Sequence, residues 1–129
     1  MTNKEHWKPE PDDHDYPAAA SYLTLILPER DVAPLVDELR AAPIGSWKAK
    51  DLLRASRLAL LQADNPHVAT DLKKVDRGEK LSPVLLIRGH LPKLAPLEIA
   101  DGYHRICASY HLDEDADIPC RMVDYQWAG

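Results

Sequence analysis

The sequence predicts an α/β fold, a small mixed sheet with flanking helices, in a chain of 129 residues. Three apolar segments predict strands, at residues 84–87, 97–100 and 118–123. They alternate with segments in which apolar residues recur every three or four positions, the pattern of an amphipathic helix. Because strands that alternate with such helices are typical of α/β proteins, we expect the three segments to share one sheet.

The N-terminal segment, residues 1–19, combines charge and proline with few apolar side chains. Such a composition does not bury a core, so we expect a flexible N-terminal tail followed by a single domain at 20–129. Residues 21–27 consist largely of strand-forming side chains and end at Pro28, which predicts a first strand.

The first predicted helix follows Pro28 in the sequence. Its apolar stripe has the spacing i, i+3, i+4, i+7 and consists of Val32, Leu35, Val36 and Leu39. Asp31 is suited to be its N-cap, which would place Pro34 in the first turn, where a proline does little harm.

A second helix is predicted to start at Ser46, whose hydroxyl suits an N-cap, and to run to Ser56. Its basic stripe consists of Lys50, Arg54 and Arg57. We interpret this stripe as a solvated face, the usual role of such a pattern.

The third predicted helix has clear boundaries. Asn65 is suited to be its N-cap, Pro66 its first residue, and Gly78 the residue just past its end. Residues 84–87 then form a continuous apolar run, which is typical of a strand covered on both faces.

The last predicted helix follows the turn at Asp101-Gly102. Its apolar face, which we expect to pack on the sheet, consists of Tyr103, Ile106, Cys107 and Tyr110. The two cysteines, Cys107 and Cys120, follow the apolar pattern, so we expect reduced and buried thiols.

Composition restricts the class of protein. Hydrophobic residues make up 45% and charged residues 29% of the chain, which is ordinary for a globular protein. The net charge of -5 argues against general binding to the phosphate backbone of DNA. No apolar run has the length of a membrane span and residues 1–16 are too polar for a targeting peptide, so we expect a cytoplasmic protein without a membrane partner. A homodimer is compatible with the sequence.

The turn from Asp101 to Arg105 is the most informative stretch. His104 and Arg105 place two basic side chains in the first turn of a helix, where the macrodipole favours acidic ones. Free backbone N–H groups, a glycine at position 102 and two cationic donors suit an anion, above all a phosphate. The alternative is an ordinary strand-to-helix turn in which His104 and Arg105 pair with nearby carboxylates.

Several local features between Pro66 and Val123 occur in an order that matches a known pattern. They are the helix that ends at Gly78, the strand start Leu81-Ser82-Pro83-Val84, the turn Ile99-Ala100-Asp101-Gly102-Tyr103-His104-Arg105, the small residues Cys107 and Ala108, and the strand start Ile118-Pro119. Together these features resemble the ParB/sulfiredoxin-like nucleotide-binding domain.

The resemblance implies a ligand and a set of contacts. The phosphates of ATP or another nucleotide, with Mg²⁺, would be held by the turn residues Gly102, Tyr103, His104 and Arg105. Ser82 and Pro83 would flank the base or ribose. Asp101 and Glu79 are the candidates for a general base, and whether the protein is an enzyme is left open.

The sequence also departs from the family at two points. Tyr103 stands where sulfiredoxins carry their nucleophilic cysteine, so we expect no sulfinic acid reduction. The sequence ends six residues after Val123 without a helix-turn-helix region, so we do not expect a partition clamp.

These observations predict a small nucleotide- or phosphate-binding protein that acts as a phosphotransferase or nucleotide hydrolase. One alternative is a non-enzymatic regulatory module with a degenerate nucleotide site, and another is a ParB-like nuclease or DNA-associated protein. We expect no structural metal, because His104 and His111 lie seven residues apart on a helix, about 10 Å. The acidic residues 113–117 are expected to form an exposed loop rather than a magnesium site.

Overall fold

The computed structural model of the protein describes residues 6–126. This part of the chain contains five α-helices: α1 (Asp15–Leu23), α2 (Glu29–Ala41), α3 (Ala49–Ser56), α4 (Pro66–Asp76) and α5 (Tyr103–Leu112). It also contains four strands: β1 (Ile44–Lys48), β2 (Val84–Ile87), β3 (Glu98–Asp101) and β4 (Asp117–Val123). The predicted α/β class is confirmed.

The four strands form one mixed sheet in the order β1-β4-β2-β3. β4 runs antiparallel to β1 and parallel to β2, with Val84 beside Cys120. β3 runs antiparallel to β2, with Leu85 beside Asp101. The prediction that residues 84–87, 97–100 and 118–123 share one sheet is therefore confirmed.

Helices cover both faces of the sheet, as the continuous apolar run in β2 predicts. Val84 and Leu86 belong to a core that includes Val68 of α4 and Ile106 of α5. Leu85 and Ile87 point to the opposite face, where the core is completed by the apolar stripes of α1 and α2, namely Tyr16, Ala19, Leu23, Val32, Leu35, Val36 and Leu39. All four residues of β2 are buried, because successive side chains of a strand enter opposite layers.

The predicted strand at residues 21–27 is wrong. α1 continues to Leu23, and the Leu27 N–H still bonds to the Leu23 carbonyl at 2.9 Å. The buried residues Tyr16, Ala19 and Leu23 follow a helical spacing that begins upstream of the strand-like composition. Leu25, one of the residues behind the strand prediction, is 80% exposed.

The structure also corrects the expectation of a tail for residues 6–19, whereas residues 1–5 lie outside the described residues. Trp7 pairs with Leu81 in an isolated parallel β-bridge and is only 5% exposed. Asp15 is 2% exposed at the start of α1. A few anchoring side chains therefore attach a segment whose average composition is polar.

Two predicted N-caps are wrong. α2 begins at Glu29 after Pro28, so Asp31 lies in its first turn and Pro34 lies inside the helix. Ser46 does not cap a helix because it belongs to β1, where it pairs with Pro119 of β4. The N-cap of α3 is therefore Lys48, two residues later than predicted, and the helix begins at Ala49.

The predicted boundaries of α4 are confirmed. The Asn65 side chain accepts hydrogen bonds from the N–H groups of His67 at 3.0 Å and Val68 at 3.3 Å. Pro66 is the first helical residue, and Gly78 follows the end of the helix with φ of 79°.

The two cysteines are free and buried, as expected, and burial raises the pKa of both thiols. Among residues 6–126, no helix combines the length and the apolar composition needed to cross a bilayer.

Candidate functional site

The predicted turn joins β3 to α5 through Gly102. This glycine has φ of 114°, a conformation that L residues with side chains rarely adopt. A Cβ atom there would lie 2.3 Å from Cγ1 of Val84, so close packing also requires glycine. Gly102 is the N-cap of α5 and has no side chain, so it offers no cap to the first N–H groups of the helix.

The Arg105 side chain is held by three groups, from α1, from β3 and from the residue that precedes β2. Its Nη2 donates hydrogen bonds to Oδ2 of Asp101 at 3.1 Å and to the Pro83 carbonyl at 3.3 Å, and it lies 3.9 Å from Oδ2 of Asp15. The Arg105 side chain is 17% exposed, and its Nε is buried without a hydrogen bond to the described residues. Arg105 therefore pairs with nearby carboxylates, as the alternative interpretation of this turn predicts.

Asp101 and Asp15 form a carboxyl pair beside Arg105. Burial raises the pKa of Asp101, the charge and hydrogen bond of Arg105 oppose this rise, and a hydrogen bond with Asp15 adds to it. The N–H of Asp12 donates to Oδ2 of Asp15 at 3.1 Å, which fixes the Asp15 carboxylate at the start of α1. Asp101 therefore keeps a proton to higher pH than an exposed aspartate does.

His104 packs against a second imidazole, that of His67 at the start of α4. Their ring centroids are 4.6 Å apart, with 44° between the ring planes. Burial lowers the pKa of His104, and the nearby charge of His67 lowers it further, against the opposing effect of Asp71. His104 is therefore biased towards its neutral form, and His67 is exposed beside it.

Three residues of this region were not predicted from the sequence: Asp15 on α1, and His67 and Asp71 on α4. Asp71 is 9% exposed, and burial raises its pKa despite the charge of Arg105. A signal existed in the sequence, because Asp71 lies between Val68 and Leu72 on the apolar face of a helix, where a carboxylate is unusual. His67 lies four residues before Asp71, hence on the same side of α4.

The remaining predicted binding residues are Tyr103, in the turn itself, and Ser82 and Pro83, which precede β2. The Tyr103 hydroxyl donates to the Ala59 carbonyl, which attaches the first residue of α5 to the segment after α3. Ser82 is 6% exposed and Pro83 is fully buried. Pro83 reaches the site through its carbonyl, which accepts a bond from Arg105, rather than through its ring.

The other candidate residues have local partners. Glu79 is exposed and pairs with Arg77 at 2.6 Å, as a surface residue after a helix end does. Asp115 of the acidic loop pairs with Lys50 at 2.6 Å. His111, at the far end of α5 from His104, contacts the Leu61 carbonyl through Nε2 at 2.7 Å.

One group in the described part of the chain has the spacing of metal ligands. It consists of Asp12, His14 and Asp15, whose ligand atoms lie within 4.8 Å of one another. Asp12 already pairs with Lys8 at 2.7 Å, and the Asp12 N–H bonds to Asp15 as in a helix cap. These contacts explain the group as the start of α1.

The balance of charge decides what the region can bind. Two carboxyl groups, of Asp15 and Asp101, lie 3.9 Å and 3.1 Å from Nη2 of Arg105, and the charge of Arg105 also acts on the buried Asp71. The groups left to meet an anion are the first N–H groups of α5 and the two imidazoles.

Comparisons of the chain with protein-family models, with curated proteins and with solved structures found no match.

Proposed function

We propose that this protein binds a phosphorylated small molecule, in the simplest case a nucleotide, at the N-terminus of α5. The observation that carries the proposal is the uncapped start of α5 at Gly102, next to the paired imidazoles of His104 and His67. Unsatisfied N–H groups at a helix N-terminus attract anions, and the two rings can donate further hydrogen bonds.

Protonation would accompany binding in this proposal. A phosphate dianion beside His104 favours the imidazolium form and so opposes the burial that lowers its pKa. The ligand would thus raise the pKa of His104, and its affinity would increase as the pH falls towards the pKa of the free histidine.

Arg105 has a positioning role in this proposal. Its bonds to Asp101 and Pro83 connect the first turn of α5 to β3 and to the start of β2. We therefore assign the direct phosphate contacts to Gly102, Tyr103 and His104, rather than to the guanidinium. The resemblance to ParB/sulfiredoxin-like domains supports the same turn as the phosphate site, with ATP and Mg²⁺ as one ligand to test.

Phosphoryl transfer is a second candidate function, favoured by the raised pKa of Asp101 at the same turn. A carboxyl group with a raised pKa is better suited than an ordinary aspartate to accept a proton from an attacking hydroxyl. Glu79 does not share this feature, since it is exposed and paired with Arg77.

Thermal-shift and calorimetric titrations with nucleoside triphosphates, each with and without Mg²⁺, test the binding proposal. A ligand at ten times its Kd raises the free energy of unfolding by about 1.4 kcal/mol. His104→Gln and His67→Gln are expected to weaken binding, whereas His111→Gln, at the other end of α5, is the control and keeps it. No binding of any nucleotide at millimolar concentration would contradict the proposal.

A further inference from the structure

A cavity of about 460 Å³ lies at the carboxyl end of the parallel strands β2 and β4. Its apolar lining includes Leu86 of β2, Met122 of β4, Leu52 of α3, Leu97 and Trp47. The opposite end of β2, at Val84, faces Gly102, so the cavity is separate from the proposed phosphate site. The carboxyl ends of parallel strands are the usual place for ligands in α/β sheets, and this volume is within the range of small-molecule sites.

The lining of the cavity is rich in arginine, in a chain whose net charge is -5. Arg54, Arg57 and Arg88 line it, whereas Asp51 is the carboxylate among the lining residues. Arg54 pairs with Asp51 at 3.3 Å, and Arg88 pairs with Asp124 at 2.6 Å. No carboxylate within residues 6–126 pairs with Arg57.

Arg57 also has an unusual backbone. It ends α3 in the left-handed conformation, with φ of 62°, where glycine is the favoured residue. Leu94, in the loop that closes the same side of the molecule, has φ of 57°. Strained conformations of this kind concentrate at ligand sites, because the side chain is needed where the backbone would prefer glycine.

From this arrangement we infer that the cavity binds an organic carboxylate with an apolar ring or chain. The planar guanidinium of Arg57 matches the two oxygens of a carboxylate and forms the charged contact. The apolar body lies on Leu86, Leu97 and Met122, with the exposed indole of Trp47 at the edge. This inference is independent of the proposed phosphate site.

A charge series of probes tests the inference: 3-phenylpropionate, 3-phenylpropan-1-ol and 3-phenylpropylamine have the same apolar body. Titrations by calorimetry and by tryptophan fluorescence are expected to give at least tenfold tighter binding for the carboxylate than for the alcohol, and the weakest binding for the amine. Trp47→Phe is expected to remove the fluorescence response without removing the calorimetric one. Equal affinity for the carboxylate and the amine, or no binding of any probe, would overturn the inference.

Arg57→Gly gives the sharpest variant, because it removes the guanidinium and relieves the left-handed backbone at once. We expect an unchanged or higher melting temperature, together with a loss of at least tenfold in carboxylate affinity and no change for the alcohol. Arg57→Lys should keep part of the preference, and Arg30→Gln on α2 should keep all of it. Retention of full carboxylate affinity in Arg57→Gly would refute the assignment. Retention of binding in His104→Gln would show that the cavity and the phosphate site act separately, whereas its loss would refute their independence.

Discussion

Replacement of Arg105 with alanine removes the guanidinium that lies among Asp15, Asp101 and the Pro83 carbonyl. Three contacts are lost, the hydrogen bonds to Asp101 at 3.1 Å and to Pro83 at 3.3 Å and the ion pair with Asp15 at 3.9 Å. The Asp15 side chain is 3% exposed and that of Asp101 20% exposed, so water cannot fully replace the guanidinium.

The expected loss in the free energy of unfolding is about 3 kcal/mol. A hydrogen bond to a charged group contributes about 1.5–3 kcal/mol. Removal of one partner from a buried ion pair costs about 3–5 kcal/mol, and the partial exposure of Arg105 places this site at the lower end. For a domain of this size, such a loss lowers the melting temperature by roughly 10 °C.

Urea denaturation and thermal melting at pH 7 measure this loss. Arg54→Ala is the matched control, because Arg54 forms an ion pair with Asp51 at 3.3 Å while its side chain is 85% exposed. We expect the control to change stability by less than about 0.5 kcal/mol. In the double variant Arg105→Ala/Asp101→Asn, part of the loss should be recovered, since one uncompensated carboxylate is removed. A stability of Arg105→Ala within about 0.5 kcal/mol of the wild type would refute the reasoning.

Three further predictions concern the same turn. Because the pKa of Asp101 is raised in the folded protein, its contribution to stability is complete below the ordinary aspartate value of about 3.9 and declines as the pH rises through the raised value. Urea titrations from pH 4 to 7 should show Asp101→Asn gaining stability relative to the wild type with rising pH, and a constant difference would count against this. Gly102→Ala should lower the free energy of unfolding by about 2–5 kcal/mol, because its Cβ would meet Val84 at 2.3 Å and its φ is 114°. Gly78→Ala, with φ of 79° and open space around it, should lower stability by only about 1 kcal/mol, and equal losses in the two variants would show the packing argument to be wrong. His67→Ala should raise the pKa of His104 by removing a neighbouring positive charge, which an NMR pH titration of the His104 ring measures; an unchanged pKa would exclude that coupling.

Elements with strong local signals were predictable from the sequence. α4 has a capping asparagine, a proline at its first position and a glycine after its end, and each of these acts within a few residues. β2 is recognisable because all four of its side chains are apolar and buried. The Asp101-Gly102 turn was likewise predictable, since a strand, a glycine and a helix follow one another directly.

The elements that were missed depend on tertiary pairing. β1 lies at the edge of the sheet and is largely exposed, so Ile44 and Trp47 give no alternating pattern, and the strand exists because it pairs with β4. The start of α1 and the burial of Trp7 were not predicted, because residues 1–19 are polar on average. The candidate site was likewise predictable only where its residues are close in sequence. The packing of α1 and α4 brings three further residues to the turn, Asp15, His67 and Asp71, and this packing could not be predicted from the sequence.

The most direct test of the proposed function is an NMR titration of the backbone amides with ATP and Mg²⁺, followed by inorganic phosphate alone. If the N-terminus of α5 binds phosphate, the largest shifts should occur at the N–H groups of Tyr103 and His104, with ring shifts at His67 and a raised pKa of His104. Inorganic phosphate should perturb the same amides at higher concentration. Unchanged Tyr103 and His104 amides at saturating nucleotide, or shifts confined to the cavity beside Arg57, would contradict the proposal.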